Sequence, residues 1–488
     1  MSRQGEDYIK SSGLSARLAF LAKDSVVYGL AGAISRLFYL ITFPILTRVF
    51  TIEEFGVFDT VNTAITFLTI LLVFGQDSAV ARFYYEYEDE SERSRVVSQS
   101  FWIQLLVTIL SLLAFFLLFS SIQQHLNSKL VSDTVLWLSI LQVPFTMLIL
   151  FSQNLLKWTF ERNLYLLISV GSVFVTMILL VLYVGMYPAT LEGVLTVYLA
   201  GKVLFGILGF AFCRNWIQSP SQWSSLKELF TFAIPIGIVC AIGAFVAPLQ
   251  RFLLGDFLDL KTVGLFAAGA KIAILINLPI EAFQTAWGPF SLSIHKEDSA
   301  QKTYVLALKV FCFLLSFALI LQTALAPVLL ELLATSNYLP AASIVFPIAA
   351  TYALQAVGKV SSLGITISKK TIVTVYAYIL FLAVFCSSSY YFTKSWGLNG
   401  VVGAMCLSYL IKTGLETWFS HRVYPISWPF WRLTILGLLT LIVGLFLSFQ
   451  SNLLISAGIC LVFPLITIAV LLNKEEFRIV LEKMNLKR

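Results

Sequence analysis

Charge is scarce in this chain. Only 12% of its 488 residues are Asp, Glu, Lys or Arg, where a soluble domain carries about one-quarter. A water-facing surface cannot be built from so few charges. The three histidines, His125, His295 and His421, stand in separate loops, so their spacing supports no metal centre. The six cysteines, Cys213, Cys240, Cys312, Cys386, Cys406 and Cys460, lie within or at the ends of apolar runs, and no Cys-x-x-Cys occurs. They read as small buried hydrophobes, neither disulfides nor ligands. A phosphate-binding Gly-rich loop ending in Gly-Lys-Ser/Thr is missing, which excludes ATP hydrolysis by this chain. No Ser/His/Asp arrangement or exposed carboxylate pair stands out, and the chain reads as a non-enzyme. No cofactor is implied. The first 23 residues are charged and polar, with no small-residue cleavage site, and read as a retained cytoplasmic tail rather than a signal peptide.

What is abundant is apolar surface: 58% hydrophobic residues and a mean hydropathy of +0.87. Fourteen stretches are long enough to cross a bilayer, which takes about 20 residues. They are 24–48, 55–78, 98–120, 132–156, 164–186, 190–213, 229–250, 262–285, 303–326, 341–367, 371–392, 397–418, 429–449 and 452–473. Continuous rather than alternating apolar runs favour helices over a barrel. The expected fold is an all-α integral membrane protein.

The formal charge of +7 raises nucleic acid as a partner, but its distribution explains it otherwise. With the amino terminus in the cytoplasm, only Arg48, Lys129, Arg251, Lys261 and Lys394 fall on the opposite side. Arg36, Lys202, Lys271, Lys309, Lys359 and Lys412 fall within spans, and the other 22 of the 33 basic residues are cytoplasmic. Such a bias follows the positive-inside rule, with both termini cytoplasmic, and no nucleic-acid partner is expected. The charged segment 82–95 reads as a solvated loop or a helix extension.

Similarities recur six spans apart. Pro44, Arg48 and Phe55-Gly56-Val57-Phe58 match Pro248, Arg251 and Val263-Gly264-Leu265-Phe266 in order. Gly193 and Lys202 match Gly403 and Lys412 in separation. An even number of spans preserves orientation, so the halves are expected to be parallel repeats. The expected organisation is a tail at 1–23, an N-lobe at 24–213, a linker at 214–228, a C-lobe at 229–418, an added helix pair at 429–473 and a basic tail at 474–488. Two lobes imply a cavity between them, a transporter arrangement.

A charge at the bilayer centre costs at least about 2.5–3.5 kcal/mol. Arg36, roughly 18 Å into its span at 1.5 Å per residue, and Lys202 are central. Lys271, Lys309 and Lys359 are off-centre, and Lys412 approaches the cytoplasmic interface. Asp24, Asp59, Asp77, Glu192 and Glu331 sit toward span ends, with Glu281 and Glu416 in inner thirds. A net positive midplane attracts an anion, and the planar fork of Arg suits phosphate. Arg36, Lys202, Lys271 and Lys359 are therefore the first candidates for a cationic cavity, followed by Lys309, Lys412, Asp77 and Glu281. The competing reading is internal pairing: Arg36 with Asp77 or Asp59, and Lys271 with Glu281. Lys309 and Lys412 can instead snorkel to the surface.

The stretch Gly264-Leu265-Phe266-Ala267-Ala268-Gly269-Ala270-Lys271, running on to Ala282-Phe283-Gln284-Thr285-Ala286-Trp287-Gly288-Pro289-Phe290, resembles polysaccharide flippases of the O-antigen and capsule type. So do Asn337-Tyr338-Leu339-Pro340-Ala341-Ala342 with Ser368-Lys369-Lys370-Thr371, and Tyr28-Gly29 through Thr47-Arg48, Glu54-Phe55-Gly56 and Ala81-Arg82-Phe83-Tyr84-Tyr85. The resemblance covers almost the whole chain. It implies a superfamily shared with multidrug (MATE) exporters and the lipid II flippase, two six-helix lobes plus two C-terminal helices, and alternating access. It implies a cargo of undecaprenyl pyrophosphate-linked oligosaccharide and a bacterial inner-membrane location. Ser35-Arg36 resembles a serine-arginine pair lining a cationic cavity in the lipid II flippase. Lys271 falls where the group often carries a basic residue. The protein is expected to act as a monomer among membrane lipids, beside a polysaccharide polymerase and chain-length regulator, with a proton or sodium ion as possible coupling ion. Three rivals are a multidrug cation exporter, a non-transport scaffold and an integral-membrane polymerase or ligase. The first needs a carboxylate deep in the first or seventh span, where only Asp24 at an edge is found. A scaffold has no use for six buried cations. The last needs a large external loop.

Overall fold

The computed structural model describes residues 31–32, 34, 38, 40–125, 131–219, 226–297, 299–368, 370, 372–450 and 452–471, and every regular element among them is helical. The helices are α1 (Leu40–Val49), α2 (Ile52–Val73), α3 (Gln76–Glu86), α4 (Glu90–His125), α5 (Asp133–Ile140), α6 (Gln142–Trp158), α7 (Arg162–Met186), α8 (Leu191–Cys213), α9 (Leu226–Phe257), α10 (Leu260–Ala273), α11 (Asn277–Ser293), α12 (Ala300–Leu333), α13 (Ala342–Ser361), α14 (Leu363–Ile367), α15 (Ile372–Val423), α16 (Phe430–Ser448) and α17 (Leu453–Leu471).

Among the described residues, 12 helices or helix pairs have the length and apolarity to cross a membrane. One of them, α15, is two helices joined at Gly397, whose φ is 57°. Thirteen of the expected spans are thus accounted for. The described part of the remaining one includes α1. This is a multi-pass membrane protein. Its surface is apolar, with Leu117 69% and Leu461 76% exposed, while Thr69, Gln104, Thr108, Gln142 and Ser152 are buried. Lipid is as apolar as leucine, so side-chain polarity is free to concentrate between helices.

Helix starts follow from capping residues. Thr51 and Glu54 form a reciprocal capping box ahead of α2, with the Thr51 amide donating to Glu54 Oε2 at 2.9 Å. Ser132, Thr190 and Asp259 accept from the amides of Val135, Gly193 and Thr262. The Thr262 hydrogen bonds hold the Asp259 carboxyl below its usual range. Breaks have equally local causes. Pro279 has no amide to donate to the Leu275 carbonyl four residues before it, and the chain tightens to a 3-10 turn at Ile274–Ile276. Between α2 and α3, Phe74 and Gly75 both have positive φ. A Cβ on Gly75 would lie 2.6 Å from the Ala233 carbonyl oxygen of α9, so the break docks backbone to backbone.

The charged segment 82–95 is a helix extension: α3 runs to Glu86 and α4 starts at Glu90. Arg93 turns back, its Nε donating to the Tyr87 carbonyl at 2.8 Å and its guanidinium 4.9 Å from the Tyr84 ring. The expected loop position of Arg251 is corrected. α9 continues to Phe257, and Arg251 is buried within it. Its apolar run is cut at Gln250 and Arg251 but resumes with Phe252, Leu253 and Leu254.

The chain divides into two units, Met1–Leu249 and Gln250–Arg488. In the first, Tyr84, Phe101, Met147, Phe151, Leu155, Ile168 and Phe205 share one core. In the second, α12 is the central helix, packing on α13, α16 and α17, with Ile320, Ala324, Leu447 and Phe463 in one cluster.

Candidate functional site

α8 packs closely on α6 and α7. Gly201 permits this approach, because a Cβ there would collide with the Thr176 hydroxyl. Next to it in sequence, Lys202 enters a cavity of about 350 Å³ in the first unit. The walls are Ala31, Gly32 and Thr42, α6 through Thr146 and Gln153, α7 through Tyr165, Ser169, Ser172 and Thr176, and α8 through Tyr198 and Gly201. Lys202 is the twelfth residue of α8, whose first is Leu191. It therefore sits about 17 Å along the helix, near the middle of a hydrocarbon layer about 30 Å thick.

The polar lining has a definite sense. Ser169 and Thr176 spend their protons on the carbonyls of Tyr165 and Ser172, each at 2.7 Å, and Thr146 donates to Gln142 at 2.8 Å. The oxygens of Thr146 and Thr176 remain available as acceptors, while Ser169 is also engaged by the Tyr165 side chain. Lys202 supplies a cation and Gln153 an amide. Among the described lining residues Lys202 is the one charged group, and no described residue forms a hydrogen bond or ion pair with it. An unpaired ammonium inside a helix bundle is costly. The arrangement suits a ligand that is both anionic and rich in hydroxyls.

Lys412 occupies the matching place in the sequence repeat and behaves differently. Its ammonium pairs with Glu416 at 3.0 Å, both side chains buried, and stands 4.3 Å from the Tyr378 ring. Four residues after Lys202 stands Gly206 rather than an acid. One lysine is closed by an acid on its own helix; the other opens on a cavity.

The family described as Polysaccharide biosynthesis protein matches residues 21–295, more than half of the chain. The chain belongs to this family. An uncharacterized membrane protein of Haemophilus influenzae is 23% identical over 286 residues, covering 58% of this chain and 67% of that protein. Among solved structures, the lipid II flippase MurJ in its inward closed conformation superposes with a TM-score of 0.69 at 15% identity, covering 91% of this chain and 98% of MurJ. An inward-facing multidrug resistance MATE transporter of the MOP superfamily gives 0.64 at 15% identity, with 83% and 95% covered. The fold is thus that of the MurJ and MATE transporters.

The other expected site residues have different surroundings. Arg36 lies outside the described residues. In the second unit, Lys271 and Glu281 are half-buried, flanking the 3-10 turn. Gln322 secures that turn by donating to the Ile272 carbonyl at 2.7 Å. Lys359 is exposed and donates to Gln284 Oε1 at 3.3 Å. Lys309 is buried at 4% exposure and does not snorkel. Asp77 is half-buried in the first turn of α3. Sequence reasoning missed Arg251, whose guanidinium lies 4.9 Å from the Phe266 ring. It also missed Gln153 and the hydroxyl row of α7. An amide in an apolar run was the signal for Gln153. Ser169, Ser172 and Thr176 recur at helical spacing, which puts them on one face.

Proposed function

We propose that this family member moves undecaprenyl pyrophosphate-linked oligosaccharide from the inner to the outer leaflet of a bacterial cytoplasmic membrane by alternating access. Both termini lie in the cytoplasm. The observation that carries the reading is Lys202, at mid-membrane depth in a hydroxyl-lined cavity, with no acid beside it among the described residues. The pyrophosphate loses hydration on leaving water, and a cation in a low-dielectric site offsets that loss. Sugar hydroxyls donate to the acceptor oxygens of α7, and the polyprenyl tail stays in lipid. No bond is made or broken. Arg36 is proposed as a further cation on the strength of its depth in sequence, and Lys271 and Lys359 as accessory ones. The multidrug-exporter reading is disfavoured, since organic cations call for a carboxylate and the described cavity lining has none.

The test is surface polysaccharide in a strain lacking the gene and complemented with variants. A hydrogen bond to a charged group is worth about 1.5–3 kcal/mol, roughly 10- to 100-fold. Lys202→Ala should lower export by that order at unchanged protein level, and Lys202→Glu should lower it further. Arg36→Ala, Arg36→Lys and Arg36→Glu should rank with Lys best and Glu worst. Lys394→Ala, exposed and without an assigned role, should match wild type. Normal export by Lys202→Glu would remove Lys202 from the cargo path.

A further inference from the structure

A second, much smaller cavity in the first unit lies at the break between α2 and α3. Its volume is about 10 Å³, the space of one water or bare cation. Val73, Asp77, Ser100, Gln104 and Asn154 line it. Val73 ends α2, so the negative end of that helix dipole is directed here. Asp77 belongs to the first turn of α3, Ser100 and Gln104 to α4, and Asn154 to α6.

The oxygens are organised. Gln104 Nε2 donates to Ser100 Oγ at 3.0 Å, and Ser100 Oγ donates to Gln76 Oε1 at 3.0 Å. That relay uses one amide proton of Gln104 and leaves its carbonyl oxygen over. Gln104 is 3% exposed, and Oε1 has no hydrogen-bond partner. The side chain of Asn154 makes no hydrogen bond among the described residues, and no ion pair closes on Asp77. The charged neighbour of Asp77 is Lys157, on the same helix as Asn154, whose ammonium lies 6.0 Å from the Tyr165 ring. A buried amide oxygen without a donor is a cost that the fold retains.

We propose that this cavity binds a single sodium ion, held by the Asp77 carboxylate, Gln104 Oε1, Asn154 Oδ1 and the hydroxyl of Ser100. The donors are all oxygen and therefore suit a hard cation. The lining supplies a single carboxylate, Asp77, too few for a divalent ion. A calcium site gathers several carboxylates, and among the described residues no group of three or more His, Cys, Asp or Glu side chains is placed to hold a metal ion. A discontinuous membrane helix is a recurring way to build such a site, because it brings helix ends and side-chain oxygens to one point. Asn154 adjoins Gln153 of the larger cavity, so both cavities are lined by α6. The ion site itself does not depend on the identity of the cargo.

The experiment uses the full chain in detergent. Thermal unfolding is followed in sodium, potassium and choline chloride at equal ionic strength, together with saturation binding of radioactive sodium. Wild type should be stabilised by sodium over both other cations and bind it saturably. Asp77→Asn, which keeps shape but removes the charge, should lose both effects. If Asp77→Asn does not fold, Gln104→Met, which removes the orphan oxygen, should lose them instead. Equal stability in sodium and choline, potassium acting as well as sodium, or saturable binding that survives in the variants would each overturn the site. A stabilisation of wild type that follows pH and not sodium would assign Asp77 a proton and overturn it too.

Discussion

Glu416→Gln should destabilise the second unit strongly while Lys412→Met/Glu416→Leu should not. The pair is buried, at 5% exposure for each residue, with 3.0 Å between the charges. At that distance an effective dielectric of about 20 gives roughly 5 kcal/mol of attraction. Desolvation of both ions opposes it, at several kcal/mol each. The net worth of the intact pair is therefore small. Removing one partner is different: the remaining lysine keeps its desolvation cost, which is worth about 3–5 kcal/mol. For a unit of this size each kcal/mol moves Tm by about 2–4 °C, so Glu416→Gln should lower it by on the order of 10 °C. The Tyr378 ring softens this, since a cation over an aromatic face is worth about 0.5–2 kcal/mol. Thermal unfolding in detergent, followed by the loss of a monodisperse elution peak, measures the shift. The double apolar variant should fall near wild type. A Glu416→Gln protein as stable as wild type, or a double variant as unstable as the single one, would refute the assignment of Lys412 to structure.

Reporter fusions after Arg93, Arg214 and Lys296 should report cytoplasm, and fusions near Tyr187, Leu260 and Lys394 the external side; a consistent reversal between neighbours would remove a span. Gly75→Val should prevent folding, because a side chain there meets the Ala233 carbonyl and the backbone must hold φ at 75°; normal yield of a monodisperse protein would contradict the docked break. Asp259→Ala should cost about 1 kcal/mol, the usual worth of an N-cap. The Asp259 carboxyl is held low when folded, so its contribution is complete above its unfolded pKa and is lost as pH falls through the folded one. A wild-type unfolding curve compared with Asp259→Ala should converge in acid, and a constant gap would argue against it.

The spans were legible because each is a continuous apolar run, and lipid leaves a backbone no choice but to bond within itself. Lys202 was legible for the same reason: a lysine in such a run is conspicuous. The pairing of Lys412 with Glu416 was open to sequence, since i and i+4 share a helix face, but its burial depended on α13 and on the rest of α15. The α2–α3 break was not legible. No proline marks it, and Gly75 needs the backbone of α9 to explain its φ. Arg251 was misplaced because two polar residues interrupt an apolar run at the length where a span usually ends. Gln104 and Asn154 were passed over because they are uncharged. Their significance lies in an unmet oxygen and a shared cavity, which are properties of packing and not of composition.

The most direct measurement is translocation itself. The purified protein, reconstituted into vesicles loaded with undecaprenyl pyrophosphate-linked oligosaccharide, is followed by the fraction of sugar accessible to an impermeant reagent. Wild type should carry the protected pool to the accessible side faster than protein-free vesicles, and Lys202→Glu should not. Equal rates with and without wild-type protein would contradict the account.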